Sequence, residues 1–561
     1  MVVAVWKVII VGEFNTAELL VKCLENEGVE YIFGLPGEEN LHILEALRDS
    51  PIQFITTRHE QGAAFMADVY GRLTGKAGVC LSTLGPGATN LMTGVADANL
   101  DGAPLVAITG QVGTDRMHIE SHQYLDLVAM FEPVTKWNTQ IVRPQNTSEI
   151  IRKAFKLAQA EKPGAVHIDL PENIAAMSVG GSYPLGQDGR EKTYASYRSI
   201  NAAAAAIAKA DNPLILVGNG AIRAHANEAL TEFVTQLSIP VANTFMGKGV
   251  IPYTHPLCLW SVGLQQRDFI SCAFDEADLV IAIGYDLIEY SPKKWNPQGK
   301  TPIIHIGAAT AEIDSSYIPL VEVVGDISDS LLDIMKKCDR NGKPAGNISR
   351  LRSQLRKDYE RYVNDEAFPI KPQKIIYDLR QVMNPEDIVI SDVGAHKMWM
   401  ARHYHCDCPN TCLISNGFAA MGISIPGAIA AKLVHPDKKI VAVTGDGGFM
   451  MNAQELETAL RIKTPFVTLI FNDNGYGLIE WKQISQFGHA SFVDFTNPDF
   501  VKLAESMGLK GYRVESAADL VPILKEALAQ DVPAVIDCPV DYKENLRFSQ
   551  EAGDLTCEVR L

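Results

Sequence analysis

The chain has 561 residues, of which 47% are hydrophobic, and a formal net charge of −17 at pH 7. This length supplies apolar residues for more than one buried core, so we expect several domains rather than one. The negative charge would repel phosphate backbones and anionic lipid, which excludes nucleic acid and a membrane surface as predicted partners.

The start of the chain, MVVAVWKVIIVGEF, is apolar but lacks the basic segment and the cleavage site of a signal peptide. We expect it to form a tail. No apolar run reaches the roughly 18 residues of a membrane-spanning helix. Ten cysteines in a chain of this length are ordinary for a cytosolic protein. These features predict a cytoplasmic location.

Strand-like and helical patterns alternate along residues 14–180. TAELLVKCLENEGV and AAFMADVYGRLTG have helical periodicity, whereas YIFGL and AGVCLSTL are short apolar runs typical of buried strands. Such alternation is typical of a parallel sheet covered by helices on both faces. It predicts an α/β domain.

Two further α/β domains are predicted at residues 199–340 and 372–545. The strands of the first are predicted at PLILVG, IPVANTF, LVIAIG and PIIHIG, and those of the second at DIVISDVG, KIVAVTG, FVTLIFN and PAVIDCP. Polar segments at residues 179–198 and 340–358 separate the domains, and the first of them has the composition of a linker. The predicted fold class is α/β, with three doubly wound parallel-sheet domains.

The segment KIVAVTGDGGFMMNAQELETALRIKTPFVTLIFNDNGYG predicts one right-handed βαβ crossover. Asp446 and Asp473 each follow a strand of this unit, so both carboxylates should lie at the sheet edge where α/β folds bind ligands. Two carboxylates with nearby carbonyls suit Mg²⁺ completed by substrate phosphates, and Gly445, Gly447 and Gly448 let backbone N–H groups approach a phosphate. A plain turn at each position is the alternative for either aspartate taken alone.

Gly445-Asp446-Gly447, followed after 25 residues by Asp473-Asn474, resembles the diphosphate-binding signature of thiamine-diphosphate enzymes. The resemblance implies thiamine diphosphate and Mg²⁺ as cofactors, with the metal held by Asp446, Asp473 and the carbonyl of Gly475. Asn is the common residue at the position of Asp473, although catabolic acetolactate synthases share the Asp.

The same resemblance implies pyrimidine-binding, central and diphosphate-binding domains in that order. It also implies a cofactor bound between two subunits, and therefore a homodimer or homotetramer.

Further site residues follow from the resemblance. Glu60 matches the glutamate that activates the cofactor through its aminopyrimidine ring. Met421 matches the apolar residue that bends thiamine diphosphate. The other matching residues are Ala395 and His396 at the diphosphate, the run Gly475, Tyr476, Gly477, Leu478 and Ile479 along the cofactor, and His122 and Gln123 on the substrate side. Without the resemblance, Glu60 would be read as a helix-dipole partner and Met421 as a core residue.

The segment VGLQQRDFISCAFDEADLVIAIGYDLIEYSPKKWN resembles the flavin-free catabolic acetolactate synthases, so FAD is expected to be absent. The implied chemistry is decarboxylation of a 2-oxo acid, followed by release of an aldehyde or attack on a second carbonyl.

The predicted substrate depends on Lys482, which the resemblance places at a position where the anabolic synthases have Trp and the catabolic ones Gln. A charge-assisted contact to a second carboxylate is worth about 1.5–3 kcal/mol. The chain also resembles the acetolactate-synthase-like 2-oxoglutarate decarboxylases, so 2-oxoglutarate decarboxylation to succinic semialdehyde is the favoured prediction. The alternative is acetolactate synthesis from two pyruvates, with Lys482 extending into solvent. A catalytically silent, cofactor-binding regulatory protein is a third hypothesis.

Overall fold

The computed structural model describes residues 14–187, 192–264, 269–340 and 348–545. The predicted tail at residues 1–13, parts of the polar segments at 188–191 and 341–347, and residues 265–268 of the central-domain motif lie outside these ranges. The chain divides near residue 190 into two compact units, of which the first contains one sheet and the second contains two.

The first unit is built on six parallel strands. They are β1 Tyr31–Gly34, β2 Gln53–Thr56, β3 Gly78–Ser82, β4 Leu105–Gln111, β5 Trp137–Gln140 and β6 Ala165–Pro171. Its helices are α1 Thr16–Asn26, α2 Leu41–Arg48, α3 Glu60–Thr74, α4 Pro86–Asp101, α5 Leu127–Phe131, α6 Thr147–Gln159 and α7 Glu172–Ala175. The strand order is β2-β1-β3-β4-β6-β5. Every residue of β4 and β6 is buried, as expected for central parallel strands with helices on both faces.

The second sheet lies in the central part of the chain. Its strands are β7 Pro213–Val217, β8 Val241–Asn243, β9 Cys258–Ser261, β10 Leu279–Ile283, β11 Ile303–Gly307 and β12 Val321–Val324. The accompanying helices are α8 Tyr197–Lys209, α9 Asn219–Arg223, α10 Asn227–Leu237, α11 Phe269–Glu276, α12 Ile327–Lys337 and α13 Ile348–Glu360. The strand order is β12-β11-β10-β7-β8-β9.

Helix α13 was not predicted, because the residues around it are strongly polar. Its apolar residues Ile348, Leu351 and Leu355 recur at helical spacing, and all three are buried in the central core. A narrow apolar stripe in a polar stretch is therefore enough to attach this helix to the second sheet.

The third sheet carries the predicted crossover. Its strands are β13 Ile388–Ser391, β14 Cys412–Ile414, β15 Ile440–Gly445, β16 Val467–Asn472, β17 Lys510–Arg513 and β18 Ala534–Pro539. The helices are α14 Pro372–Val382, α15 Ala395–His403, α16 Ser424–Val434, α17 Asp446–Asn452, α18 Glu455–Arg461, α19 Gly477–Phe487, α20 Phe500–Ser506 and α21 Leu520–Ala527. The strand order is β14-β13-β15-β16-β18-β17.

Strands β15 and β16 are parallel neighbours, with Val443 opposite Leu469 and Gly445 opposite Phe471. The predicted crossover is confirmed, and so is the fold class of three α/β domains built on parallel sheets. Over the described ranges, no helix is both long enough and apolar enough to span a membrane.

Candidate active site

A cleft of about 170 Å³ opens in the third domain, at the carboxyl ends of its central strands. It is lined by every residue that the sequence assigned to the diphosphate, the metal and the thiazolium side of the cofactor: Ala395, His396, Met421, Gly445, Asp446, Gly447, Gly448, Asp473, Gly475, Tyr476, Gly477, Leu478 and Ile479. Four lining residues were not predicted, namely Val393, Gly394, Ala419 and Tyr542. The structure therefore brings together the predicted cofactor and metal residues of the third domain.

Asp446 is the first residue of α17 and is only 1% exposed. Its Oδ2 accepts hydrogen bonds from the backbone N–H of Asn474 and from Nδ2 of Asn497, both at 2.7 Å. Its Oδ1 accepts one from the N–H of Gly447 at 2.9 Å. These donors fix the carboxylate against the end of β16. Asn497 lies in a polar loop without periodicity, so no sequence signal identified it.

Asp473 lies beside Asp446 and has no lysine or arginine partner among the described residues. Burial first, and then the charge of Asp446, raise the pKa of Asp473 from 3.8 to about 8. A Cβ atom at Gly477 would lie 2.3 Å from Oδ2 of Asp473, so only glycine permits this close approach. Both crowded carboxylates can be ionised at pH 7 only with a positive charge beside them, and an oxygen-only ligand set suits Mg²⁺.

The diphosphate side of the cleft also lacks a basic side chain, since no described lysine or arginine lines it. His396, in the first turn of α15, offers Nε2, which is buried without a hydrogen-bond partner within the described ranges. Burial lowers the pKa of His396 from 6.5 to about 3, so the imidazole is neutral at pH 7. A buried nitrogen without a hydrogen-bond partner is expected where a bound ligand would supply that partner. These residues fit a diphosphate whose charge is met by a bound cation and by backbone N–H groups.

The loop that carries Met421 is held by a second buried carboxylate, Asp392, at the end of β13. Oδ1 of Asp392 accepts from the backbone N–H groups of Val393 at 2.8 Å and Gly422 at 2.9 Å, and Oδ2 accepts from that of Ser424 at 3.0 Å. Burial raises the pKa of Asp392 above its usual value. Asp392 follows a strand as Asp446 does, so the same strand-end reasoning would have identified it.

The residues predicted for the first unit form their own cluster. Glu60 begins α3, is 8% exposed, and accepts a hydrogen bond at Oε2 from Nδ2 of Asn90 at 3.0 Å. A Cβ atom at Gly87 would lie 3.3 Å from Oε1 of Glu60, and one at Gly85 would lie 2.6 Å from the carbonyl oxygen of Gln123. Glu60 and Gln123 therefore adjoin the same glycine turn.

His122 and Gln123 are both exposed in the first unit. Lys482, in α19, is also exposed and does not line the cleft, although it follows Leu478 and Ile479 by four and three residues. The structure thus places Lys482 about one helical turn beyond the cleft wall.

The sequence matches three family models in chain order. Residues 14–130 match the thiamine pyrophosphate enzyme N-terminal TPP binding domain, residues 200–334 the central domain, and residues 392–538 the C-terminal TPP binding domain. The chain is 36% identical over 543 residues to an acetolactate synthase of Bacillus subtilis, covering 95% of each chain.

The chain belongs to the acetolactate synthase family of thiamine pyrophosphate enzymes.

Other relatives extend the similarity within this family. A probable acetolactate synthase large subunit of Methanococcus aeolicus is 38% identical over 97% of this chain and 94% of its own. A protein of Raoultella terrigena described as catabolic acetolactate synthase is 35% identical over 94% of this chain and 95% of its own. Membership of the family makes the protein an enzyme with domains for binding thiamine diphosphate, as the resemblance implied.

Proposed function

We propose that the protein is an acetolactate synthase, which converts two pyruvates into 2-acetolactate and CO₂ with thiamine diphosphate and Mg²⁺. The observation that carries this proposal is similarity over nearly the whole chain to relatives that bear this name. The sequence alone favoured 2-oxoglutarate on the strength of Lys482. The relatives support the alternative instead.

When bound, thiamine diphosphate supplies the nucleophilic carbon and the electron sink that allow a 2-oxo acid to lose CO₂. Glu60 is proposed to hold a proton at ring nitrogen N1′ of the aminopyrimidine. A nearly buried carboxyl group that accepts one hydrogen bond from Asn90 has a fixed orientation, as this task requires. Gln123 is proposed to contact the substrate, together with His122.

The cleft of the third domain is proposed to hold the diphosphate and its metal. Asp446, Asp473 and the carbonyl of Gly475 would bind Mg²⁺. The N–H of Tyr476 donates to the carbonyl of Val493 at 3.0 Å, and Gly475 forms an antiparallel bridge with Asp494. This pairing stabilises the turn that presents the Gly475 carbonyl.

Further cofactor contacts are proposed along the same cleft. Ala395, His396 and the glycines Gly445, Gly447 and Gly448 would contact the diphosphate. Met421 would support the bent cofactor, and Leu478 and Ile479 would cover the thiazolium.

Decarboxylation of 2-oxoglutarate is the second candidate, and Lys482 is the observation that favours it. The Lys482 ammonium forms no salt bridge with a described carboxylate, so a substrate carboxylate could bind it. Its exposure and its place one turn beyond the cleft argue for a weaker contact than a dry pocket would give.

Three further features are proposed with the function. The enzyme is a homodimer or homotetramer whose active site is completed between subunits, and sedimentation would measure its mass. It is flavin-free, which the absence of flavin absorbance from the purified protein would show. It acts in the cytoplasm on small 2-oxo acids.

The decisive experiment supplies the purified protein with thiamine diphosphate and Mg²⁺, offers pyruvate and 2-oxoglutarate in parallel, and identifies the products. We expect acetolactate from pyruvate at the higher kcat/KM. Faster formation of succinic semialdehyde would replace the proposal by the second candidate, and no CO₂ from either acid would contradict both.

A variant pair isolates the contribution of Lys482. If 2-oxoglutarate is the substrate, Lys482→Gln should raise its KM much more than the KM of pyruvate. Lys525→Gln, at an exposed lysine of α21, controls for the loss of surface charge. Equal effects of Lys482→Gln on both substrates would remove charge recognition as its role.

A further inference from the structure

A buried carboxylate in the first unit has no part in the proposed chemistry. Asp169 of β6 is completely buried. Its Oδ1 accepts a hydrogen bond from Oγ1 of Thr109 at 2.8 Å, and its Oδ2 accepts from Nε2 of Gln140 at 2.7 Å and, more weakly, from Nε2 of Gln111 at 3.4 Å. No lysine or arginine of the described chain forms a salt bridge with it. Such a charge is costly to bury, so neutral donors must hold it.

The two glutamines connect Asp169 to residues 112–126, which we name the substrate-side segment. Nε2 of Gln111 also donates to the carbonyl of Leu125 at 3.0 Å, and its Oε1 accepts from the N–H of Val112 at 3.0 Å. Nε2 of Gln140 lies 3.9 Å from Sδ of Met117. The two glutamines therefore contact the segment at its beginning, in its middle and near its end, at Val112, Met117 and Leu125.

Asp169 also fixes the orientation of these amides. A carboxylate only accepts hydrogen bonds, so Gln111 must turn its NH₂ group toward Asp169, which leaves the second hydrogen for Leu125. The Thr109 hydroxyl has one hydrogen and donates it to Asp169, so the 2.9 Å contact between Thr109 Oγ1 and Nε2 of His167 places a proton on that nitrogen. The ring of His167 stacks on Phe131, just beyond the segment, with centroids 4.0 Å apart.

The substrate-side segment presents Gln123 in a conformation that needs support. The φ of Gln123 is +59°, which is uncommon for a residue other than glycine, and its backbone lies directly against Gly85. A backbone held in a sparsely populated region persists only where its surroundings impose it. The hydrogen bond from Gln111 to Leu125, two residues beyond Gln123, supplies part of that constraint.

We propose that Asp169 is a positioning residue, which acts through Gln111 to hold the backbone that presents Gln123 and thereby governs capture of the second 2-oxo acid. The role in substrate capture rests on the proposed function. The link from Asp169 through Gln111 to the backbone of Leu125 rests only on the observed hydrogen bonds. Loss of the link should allow the decarboxylated two-carbon unit to take up a proton and leave as acetaldehyde before it adds to the carbonyl of the second pyruvate, so that more CO₂ is released for each acetolactate.

Gln111→Met tests the link, because it keeps the length of the side chain and removes its hydrogen bonds. Thr109→Val is the matched control, since it removes a hydrogen bond to the same carboxylate without touching the segment. We expect Gln111→Met to accelerate amide exchange in residues 112–126 of the full-length, cofactor-free protein about five- to tenfold, as for one lost hydrogen bond, and Thr109→Val to leave it unchanged. With pyruvate, only Gln111→Met should raise the ratio of CO₂ to acetolactate.

The two readouts separate the possible failures. Unchanged exchange in Gln111→Met, or equal acceleration in both variants, would overturn the positioning role whatever the reaction. Faster exchange with an unchanged product ratio would overturn the assigned role in substrate capture. If the wild type makes no acetolactate, the proposed function is wrong. The amide-exchange rates of residues 112–126 still show whether Gln111 holds the substrate-side segment. Gln111→Leu, which also removes both hydrogen bonds of the side chain, replaces Gln111→Met with the same expectations if that variant does not fold.

Discussion

The loop that carries Met421 depends on the charge of Asp392, and Asp392→Asn tests this dependence. In the wild type, Oδ1 accepts from two backbone N–H groups and Oδ2 from a third. An asparagine can place its oxygen at the first pair, but its NH₂ group then faces the N–H of Ser424. The opposite orientation places the NH₂ group against two N–H groups and is worse. Either way, at least one donor loses its partner in the protein interior.

The cost follows from the bonds that change. A hydrogen bond to a charged acceptor contributes about 1.5–3 kcal/mol, and leaving a buried donor unsatisfied costs about 1–3 kcal/mol more. Removing the buried charge offsets part of this loss, because burial disfavours the ionised carboxylate. We expect a local destabilisation of about 2–4 kcal/mol. The Kd of thiamine diphosphate should rise about tenfold, equivalent to about 1.4 kcal/mol, because the loop must be ordered again on binding.

Amide exchange of residues 417–424 measures the local effect, and titration with thiamine diphosphate and Mg²⁺ measures the affinity. Asp387→Asn is the matched control, because Asp387 is 4% exposed and accepts from the N–H groups of Asn384 at 2.7 Å and Lys439 at 3.0 Å. It precedes the same strand, β13, at the end away from the cleft. We expect it to lose stability without losing cofactor affinity.

Two results would refute the reasoning. Unchanged exchange of residues 417–424 in Asp392→Asn would show that the carboxylate does not hold the loop. An equal loss of cofactor affinity in the Asp387→Asn control would show that general weakening of the domain, rather than the position of Met421, controls binding.

Three further predictions concern other carboxylates. Glu60→Ala should bind thiamine diphosphate yet lose nearly all hydrogen–deuterium exchange at its C2 carbon, and an unchanged rate measured by NMR would contradict the role of Glu60. Asp473→Asn should retain Mg²⁺-dependent cofactor binding, since asparagine keeps an oxygen ligand, whereas Asp473→Leu should abolish it; equal titration curves for the two would exclude Asp473 as a ligand. Burial raises the pKa of Asp169 from 3.8 to about 6, so the stability that its protonated form contributes is present below pH 3.8 and lost as the pH rises through about 6. Wild-type stability should therefore fall by up to about 3 kcal/mol relative to Asp169→Asn across that window, measured by thermal unfolding; parallel pH profiles would exclude a raised pKa.

The strands predicted from the quoted runs were recognisable because parallel strands with both faces covered are nearly continuous apolar runs. Edge strands such as β5 and β17, which have no buried residue, carry no such run and were not predicted. The crossover then placed Asp446 and Asp473 at one sheet edge without knowledge of any family, since the carboxyl ends of parallel strands lie together. The roles assigned to Glu60 and Met421 required the resemblance, because a glutamate at a helix start and an apolar loop residue are ordinary features.

Other residues were missed because their function depends on distant parts of the chain. Asn497 donates to the Asp446 carboxylate and Tyr542 lines the cleft, and both belong to segments without periodicity. Asp169 had a signal that was not used: His167 and Asp169 alternate in VHIDLP, so both lie on one face of an otherwise apolar, buried strand. Two polar residues on such a face require partners, and they indicate a buried hydrogen-bond network.

Helix α19 has one face that packs on the third domain and another that is exposed. Trp481 is 8% exposed and Leu478 packs on the core of the third domain, whereas Ile479 is 47% exposed and Lys482 is exposed. Substitutions on the exposed face cost little folding free energy, because few contacts are lost. Residues on this face, where the thiazolium is proposed to bind, can therefore be substituted without a compensating stabilising substitution elsewhere. Under the proposed function, single substitutions on this face are enough to change the preferred 2-oxo acid while the fold is kept.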